Sequence, residues 1–167
     1  ALCTLGDDAA VNPTLASEVA REAEGSPFFV AQLVRHAQRT HRGDLTETDS
    51  AVSLEDVIRH RLSFMSPAAR RMLAVVSVAG GRMQVGMATL LAYVEGSSQD
   101  VLADLRAESM VRTDGPEDSD NVEIYHDRIR ETVLREIDPR SAKELHLRIA
   151  EALAQTKDPD PAALSHH

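Results

Sequence analysis

The chain has 167 residues, 43% of them apolar, a formal net charge of −9, a single cysteine (Cys3) and only 3% aromatics with no Trp. That length and apolar content allow one domain or two small ones with a core of Leu, Val, Ile, Ala and Met. The same numbers exclude an internal disulfide, argue against a phosphate-neutralising nucleic-acid surface, and leave no apolar run near the roughly 20 residues that span a bilayer.

Read in order, the chain is a succession of capped helices. Asn12 followed by Pro13 predicts an N-cap and first helical residue, and Gly25 a stop. Ser26-Pro27 starts a mostly apolar helix with Phe28, Phe29, Leu33 and Val34, reaching Thr40. The polar run "HRGDLTETDSAV" reads as a linker. Ser53, with Asp56 three residues on, predicts a third helix whose apolar stripe is Leu54, Val57, Ile58, Leu62 and Met65. Ser66-Pro67 opens a fourth, with Met72, Leu73 and Val76 inward. Gly80-Gly81 ends it, and "MATLLAYV" predicts a short helix. "SSQDVLADLRAESM" is a further capped helix that buries Val101, Leu102 and Leu105.

The period then changes. "MVRTD" and "VEIYH" predict two strands of a hairpin around the acidic turn "GPEDSDN". A helix aligning Ile129, Val133, Leu134 and Ile137 follows, with Asp127 as its expected N-cap. The last predicted helix opens on a Ser141–Glu144 capping box and carries Leu145, Ile149 and Leu153. The predicted fold is therefore mainly α. Residues 1–50 form a small helical subdomain, and 51–137 give the order of a winged-helix domain (three helices, a β-hairpin wing, a helix). Residues 138–167 carry a helix leading onward. The chain begins at Ala1 and ends in "AALSHH", and is read as a piece of a longer protein in a reducing, cytoplasmic setting.

Few residues carry chemistry. No Gly-rich phosphate loop with Lys-Ser/Thr is present, no zinc spacing, and no strained nucleophile turn. The acidic loop 114–120 lacks the central Gly and terminal Glu of a calcium loop. The helix that a DNA-binding winged helix would insert carries Asp100, Asp104 and Glu108 against one cation, Arg106, which would repel phosphates. Two features remain. "EGSPFF" sets Gly25 and Pro27 at a helix start, where a proline ring can lie on a flat ligand; by local physics alone a C-cap glycine and a first-turn proline suffice to explain them. His126 and Asp127 stand at a strand-to-helix junction, where His126 is either a structural histidine or a donor to an anion at a helix N-terminus.

In this order, "GSP" (Gly25 to Pro27) and "YHDRIRE" (Tyr125 to Glu131) resemble two signatures of the STAND class of regulatory nucleotide triphosphatases, AAA-like P-loop ATPases. The likeness is to bacterial multidomain regulators in which such an ATPase accompanies a protein kinase, a nucleotide cyclase or a DNA-binding region. "EGSPFFVAQL" and "HRLSFMSPAARRML" are near their usual wording, and "ELHLRIAEALAQ" resembles the start of tetratricopeptide-like helices. The resemblance implies that residues 1–50 are a lid and that Pro27 lies against adenine. It further implies that His126 contacts the β-phosphate of ADP and that Asp127 supports it. Tyr125 replaces the usual Met, and Ser26 the commoner Asn.

The implied function is a non-catalytic part of a signalling ATPase, coupling the ADP or ATP state of an upstream P-loop domain to movement of the winged helix. ATP or ADP would bind only with that upstream domain, and the chain alone would hold no cofactor. The implied partners are that domain, downstream helical repeats, and a protein partner or a second copy, with neither nucleic acid nor membrane among them. The competing functions are a DNA-binding winged-helix regulator and a helical protein–protein docking scaffold.

Overall fold

The computed structural model describes residues 53–155, together with the single helical position Val30. The expected lid, with Gly25 and Pro27, lies outside the described residues. Among the described residues, six helices and three short strands form a mainly helical arrangement with a small three-stranded antiparallel sheet. No helix among them is long and apolar enough to cross a membrane.

The chain divides into two units between Ile58 and Arg59, inside helix α1 (Leu54–Phe64). Ser53 starts α1 by accepting the Glu55 N–H on its hydroxyl at 3.1 Å. Glu55 and Asp56 in the first turn and Arg61 in the last complement the helix dipole.

In the second unit, α2 (Pro67–Ala79) is the central element. Ser66 caps it through the Ala69 N–H at 3.1 Å, and Pro67 fills the first position. Gly80 closes it in the left-handed conformation, φ 75°, returning its N–H to the Val76 carbonyl. Seven of its thirteen residues are buried, Met72, Leu73 and Val76 completely. A helix apolar on most sides must be surrounded, and α2 touches every later helix as well as the middle strand.

After Gly80 come β1 (Met83–Gln84) and α3 (Val85–Leu91), then α4 (Ser98–Ala107), capped by Ser97 through the Asp100 N–H. β2 (Val111–Thr113) and β3 (Asn121–Ile124) form the expected hairpin, with Val111 opposite Ile124 and Thr113 opposite Val122. β1 pairs with the other edge of β3, Met83 opposite Val122, so β3 lies in the middle. Alternation puts Met83, Val111 and Val122 into the core, while Glu123 on the opposite face binds Arg112 at 3.0 Å and Arg82 at 3.3 Å.

Nothing in the sequence pattern predicts the third strand. It exists through pairing alone, reinforced where the Val85 and Gly86 amides donate to the Asp120 and Asp118 carbonyls at 2.8 and 2.9 Å. A Cβ at Gly86 would sit 3.3 Å from that Asp118 carbonyl, so glycine permits the close approach. The helix predicted within "MATLLAYV" accordingly starts earlier, at Val85, where β1 ends.

Helix α4 ends in a Schellman turn: Ser109, at φ 52°, donates to the Arg106 carbonyl and Met110 to the Leu105 carbonyl, both at 2.9 Å. Of its expected inner face, Leu102 and Leu105 are buried and Val101 is half-buried. α5 (Asp127–Glu136) buries Ile129, Thr132 and Val133 and packs on α2 and β3. α6 (Pro139–Ala154) starts two residues before the expected Ser141 cap. Asp138 is the N-cap, accepting the Arg140 N–H at 2.9 Å and the Ser141 N–H at 3.3 Å, with Pro139 behind it. Ser141 instead sits in the first turn and donates its hydroxyl to Asp138.

Candidate functional site

His126 follows directly from β3. The Tyr125 N–H donates to the Met110 carbonyl at 3.0 Å, extending the hairpin by one bond, and His126 then adopts φ −156°, ψ 144°. An extended residue before a helix is in position to turn its side chain onto the first-turn amides. His126 does so: its ring Nδ1 accepts the Arg128 N–H at 3.3 Å. Its carbonyl takes the Ile129 N–H at 2.9 Å and the Arg130 N–H at 3.4 Å.

This corrects the part given to Asp127. Asp127 is the first helical residue and is exposed, and the cap is His126 itself. The physical reason is that a neutral imidazole offers one lone pair at Nδ1, which serves the second helical amide as an Asx oxygen would. An acceptor bond at Nδ1 places the ring proton on Nε2, making Nε2 a donor. The bonding also bears on anion affinity. The Arg128, Ile129 and Arg130 amides are occupied by His126, so affinity for a phosphate here would come from the ring more than from the helix backbone.

His126 is half-buried, and the helix that follows it carries mixed charge: Asp127 and Glu131 against Arg128, Arg130 and Arg135. Arg128 and Arg135 lie 3.7 and 3.9 Å from the Glu131 carboxylate. Arg130 turns inward, and its Nε donates to the Ser77 carbonyl on α2 at 2.9 Å. The cap of α5 is thereby braced against the buried helix one turn after His126. No local sequence signal marks Arg130, because its partner is a backbone atom far away in the chain.

The other candidate surfaces are occupied differently. On α4, Asp100, Asp104 and Glu108 are exposed, while Arg106 donates to the Thr113 hydroxyl at 3.1 Å and Arg61 donates to the Glu108 carbonyl at 2.8 Å. In the wing loop, Asp114 accepts the Asn121 N–H at 2.6 Å and its side-chain amide at 3.0 Å, and Asp120 accepts the Glu117 N–H at 2.7 Å. The bond from the Asn121 side chain, chiefly, holds the Asp114 carboxyl below the ordinary carboxylate range. These carboxylates are tied into the turn, and among the described residues no group of three His, Cys, Asp or Glu side chains could hold a metal ion.

A feature that sequence reasoning missed lies at the end of α3. Tyr93 has φ 48°, and its N–H and that of Val94 return to the Leu90 and Thr89 carbonyls, both at 3.2 Å. Arg71 on α2 donates to the Ala92 carbonyl at 2.9 Å and to the Tyr93 carbonyl at 3.2 Å. Arg148 on α6 donates to the Leu91 carbonyl, and its guanidinium lies 4.3 Å from the centre of the Tyr93 ring. Two cations thus complete a helix end that glycine would ordinarily close. No protein-family model matches the chain, and neither a curated protein nor a solved structure matches it.

Proposed function

We propose that this chain is a regulatory part of a STAND-class nucleotide switch, with residues 53–137 as a winged helix and His126 as its nucleotide-sensing residue. The helix–strand–helix–helix–strand–strand order from α2 to β3, with β3 between its two partners, supports the winged-helix part. The acidic outer face of α4 favours a protein or nucleotide contact over duplex DNA.

The observation that carries the reading is the bond that His126 Nδ1 accepts from the Arg128 amide. It fixes the orientation of the ring through its own helix, and in the nucleotide-bound state Nε2–H would donate to a β-phosphate oxygen. α5 is tied to α2 through Arg130 and Ser77, so a hydrogen bond made or broken at Nε2 acts on the whole packed unit and not on a loose side chain. ADP held on an upstream P-loop domain would keep the winged helix docked there, and exchange for ATP would release it. Such a switch needs only a difference in affinity of two conformations for two ligands.

The test is ADP affinity in a chain carrying the upstream domain, comparing His126→Asn with the parent. Asparagine keeps an acceptor for the Arg128 amide but has no donor at the reach of Nε2. A hydrogen bond to a charged group is worth about 1.5–3 kcal/mol. ADP affinity should therefore fall about tenfold or more while ATP affinity holds. Unchanged ADP affinity would leave His126 a cap alone and overturn the proposal.

A further inference from the structure

α6 is the least buried of the helices in its unit. Of its sixteen residues only Ile149 is buried, against seven of thirteen in α2, and Leu147 beside it is 59% exposed. It packs on α2 and α3. Arg148 ties it to the end of α3, donating to the Leu91 carbonyl and lying over the Tyr93 ring. The ring is there because Tyr93 occupies the left-handed position that closes α3, where glycine is the unstrained residue. A bulky side chain held in that conformation is accounted for by what the side chain does. Here it receives a cation from another helix. Arg71 braces the same turn from α2, through contacts that do not involve α6.

We propose that Arg148 and Tyr93 form a latch: α6 releases from the α2–α3 face as a unit while the remainder stays folded, and this contact sets how often it does so. Release would uncover the α2–α3 surface around Ile149 and free the orientation of whatever α6 leads to. The physical basis is the distribution of burial. A helix with one buried side chain opens at far lower cost than one with a buried majority, so a single guanidinium contact weighs heavily in its docking. The proposal stands apart from the nucleotide reading, since neither His126 nor a nucleotide enters it.

The test is hydrogen–deuterium exchange of the whole 167-residue chain, following amides of α6 and α2 in the parent, Arg148→Ala, Tyr93→Gly and, as a control, Lys143→Ala on the exposed side of α6. Arg148→Ala should raise α6 exchange about tenfold through loss of a charged hydrogen bond, and Tyr93→Gly about two- to fivefold through loss of a cation–π contact on an exposed ring, with α2 unchanged and the control inert. Tyr93→Gly is the sharper variant, because relief of the left-handed strain should leave the body of the fold as stable or more so while α6 loosens. Exchange of α2 rising in step with α6, or α6 failing to respond to either latch variant, would overturn the proposal.

Discussion

Replacing His126 by alanine removes the acceptor for the Arg128 amide, and the consequence for stability can be worked from the geometry. Loss of an N-cap side chain costs about 0.5–2 kcal/mol. The Nδ1 distance of 3.3 Å is at the long end for such a bond, which puts His126→Ala in the lower half of that range, about 0.5–1 kcal/mol. For a unit of this size that is a fall in Tm of about 2–4 °C. His126→Asn restores an acceptor from the strongest capping class and should recover the loss or exceed it. Asp127→Ala touches only the dipole of the first turn from an exposed site and should cost at most about 0.5 kcal/mol. Thermal and urea unfolding of the four proteins, read by circular dichroism, gives the ranking. If Asp127→Ala proves the more damaging, or if asparagine at 126 unfolds as early as alanine, the ring is not the cap and the reasoning fails.

Ser109→Gly removes a left-handed serine from the Schellman turn after α4, where the side chain makes the conformation costly but Leu105 and Met110 stay buried on either side; urea midpoints should rise by the equivalent of about 0.5–1 kcal/mol. The wing and the start of α6 should respond to acid. The Asp114 carboxyl is lowered first by the Asn121 side chain and that of Asp138 first by the Ser141 hydroxyl, both from an ordinary 3.8. A carboxyl lowered in the folded state contributes in full above the unfolded value and loses its contribution as pH falls through the folded one. The Asn121 and Ser141 amide resonances should therefore be constant above about pH 5 and move below the ordinary carboxylate value, with Asp114→Asn and Asp138→Asn abolishing the respective shifts.

What could be read from the chain, and what could not, separates along the range of the interactions. Ser53, Ser66 and Ser97 are legible as helix starts because a cap is settled within three residues, and the structure has all three hydroxyls on first-turn amides. Asp138-Pro139 carries the same pattern as Ser66-Pro67, yet the Ser141–Glu144 spacing competes with it; the winner is the cap that also supplies a proline at the first position. β1 is illegible because two residues hold no period, and Met83 and Gln84 become a strand only against Val122 and Asn121. Tyr93 defeats local reasoning in the opposite sense. A propensity argument puts glycine at a left-handed helix end, and the two arginines that make tyrosine workable come from helices before and after it. At the candidate site the sequence poses a choice between a structural histidine and a phosphate donor. The geometry removes the opposition, because the cap uses Nδ1 and a donor would use Nε2. One ring can hold both roles, and the cap is what would make the donor effective by fixing where it points. A substitution that deletes the whole ring confounds the two, whereas His126→Asn keeps the one and removes the other, so stability and ADP affinity measured on that single variant assign each nitrogen its part.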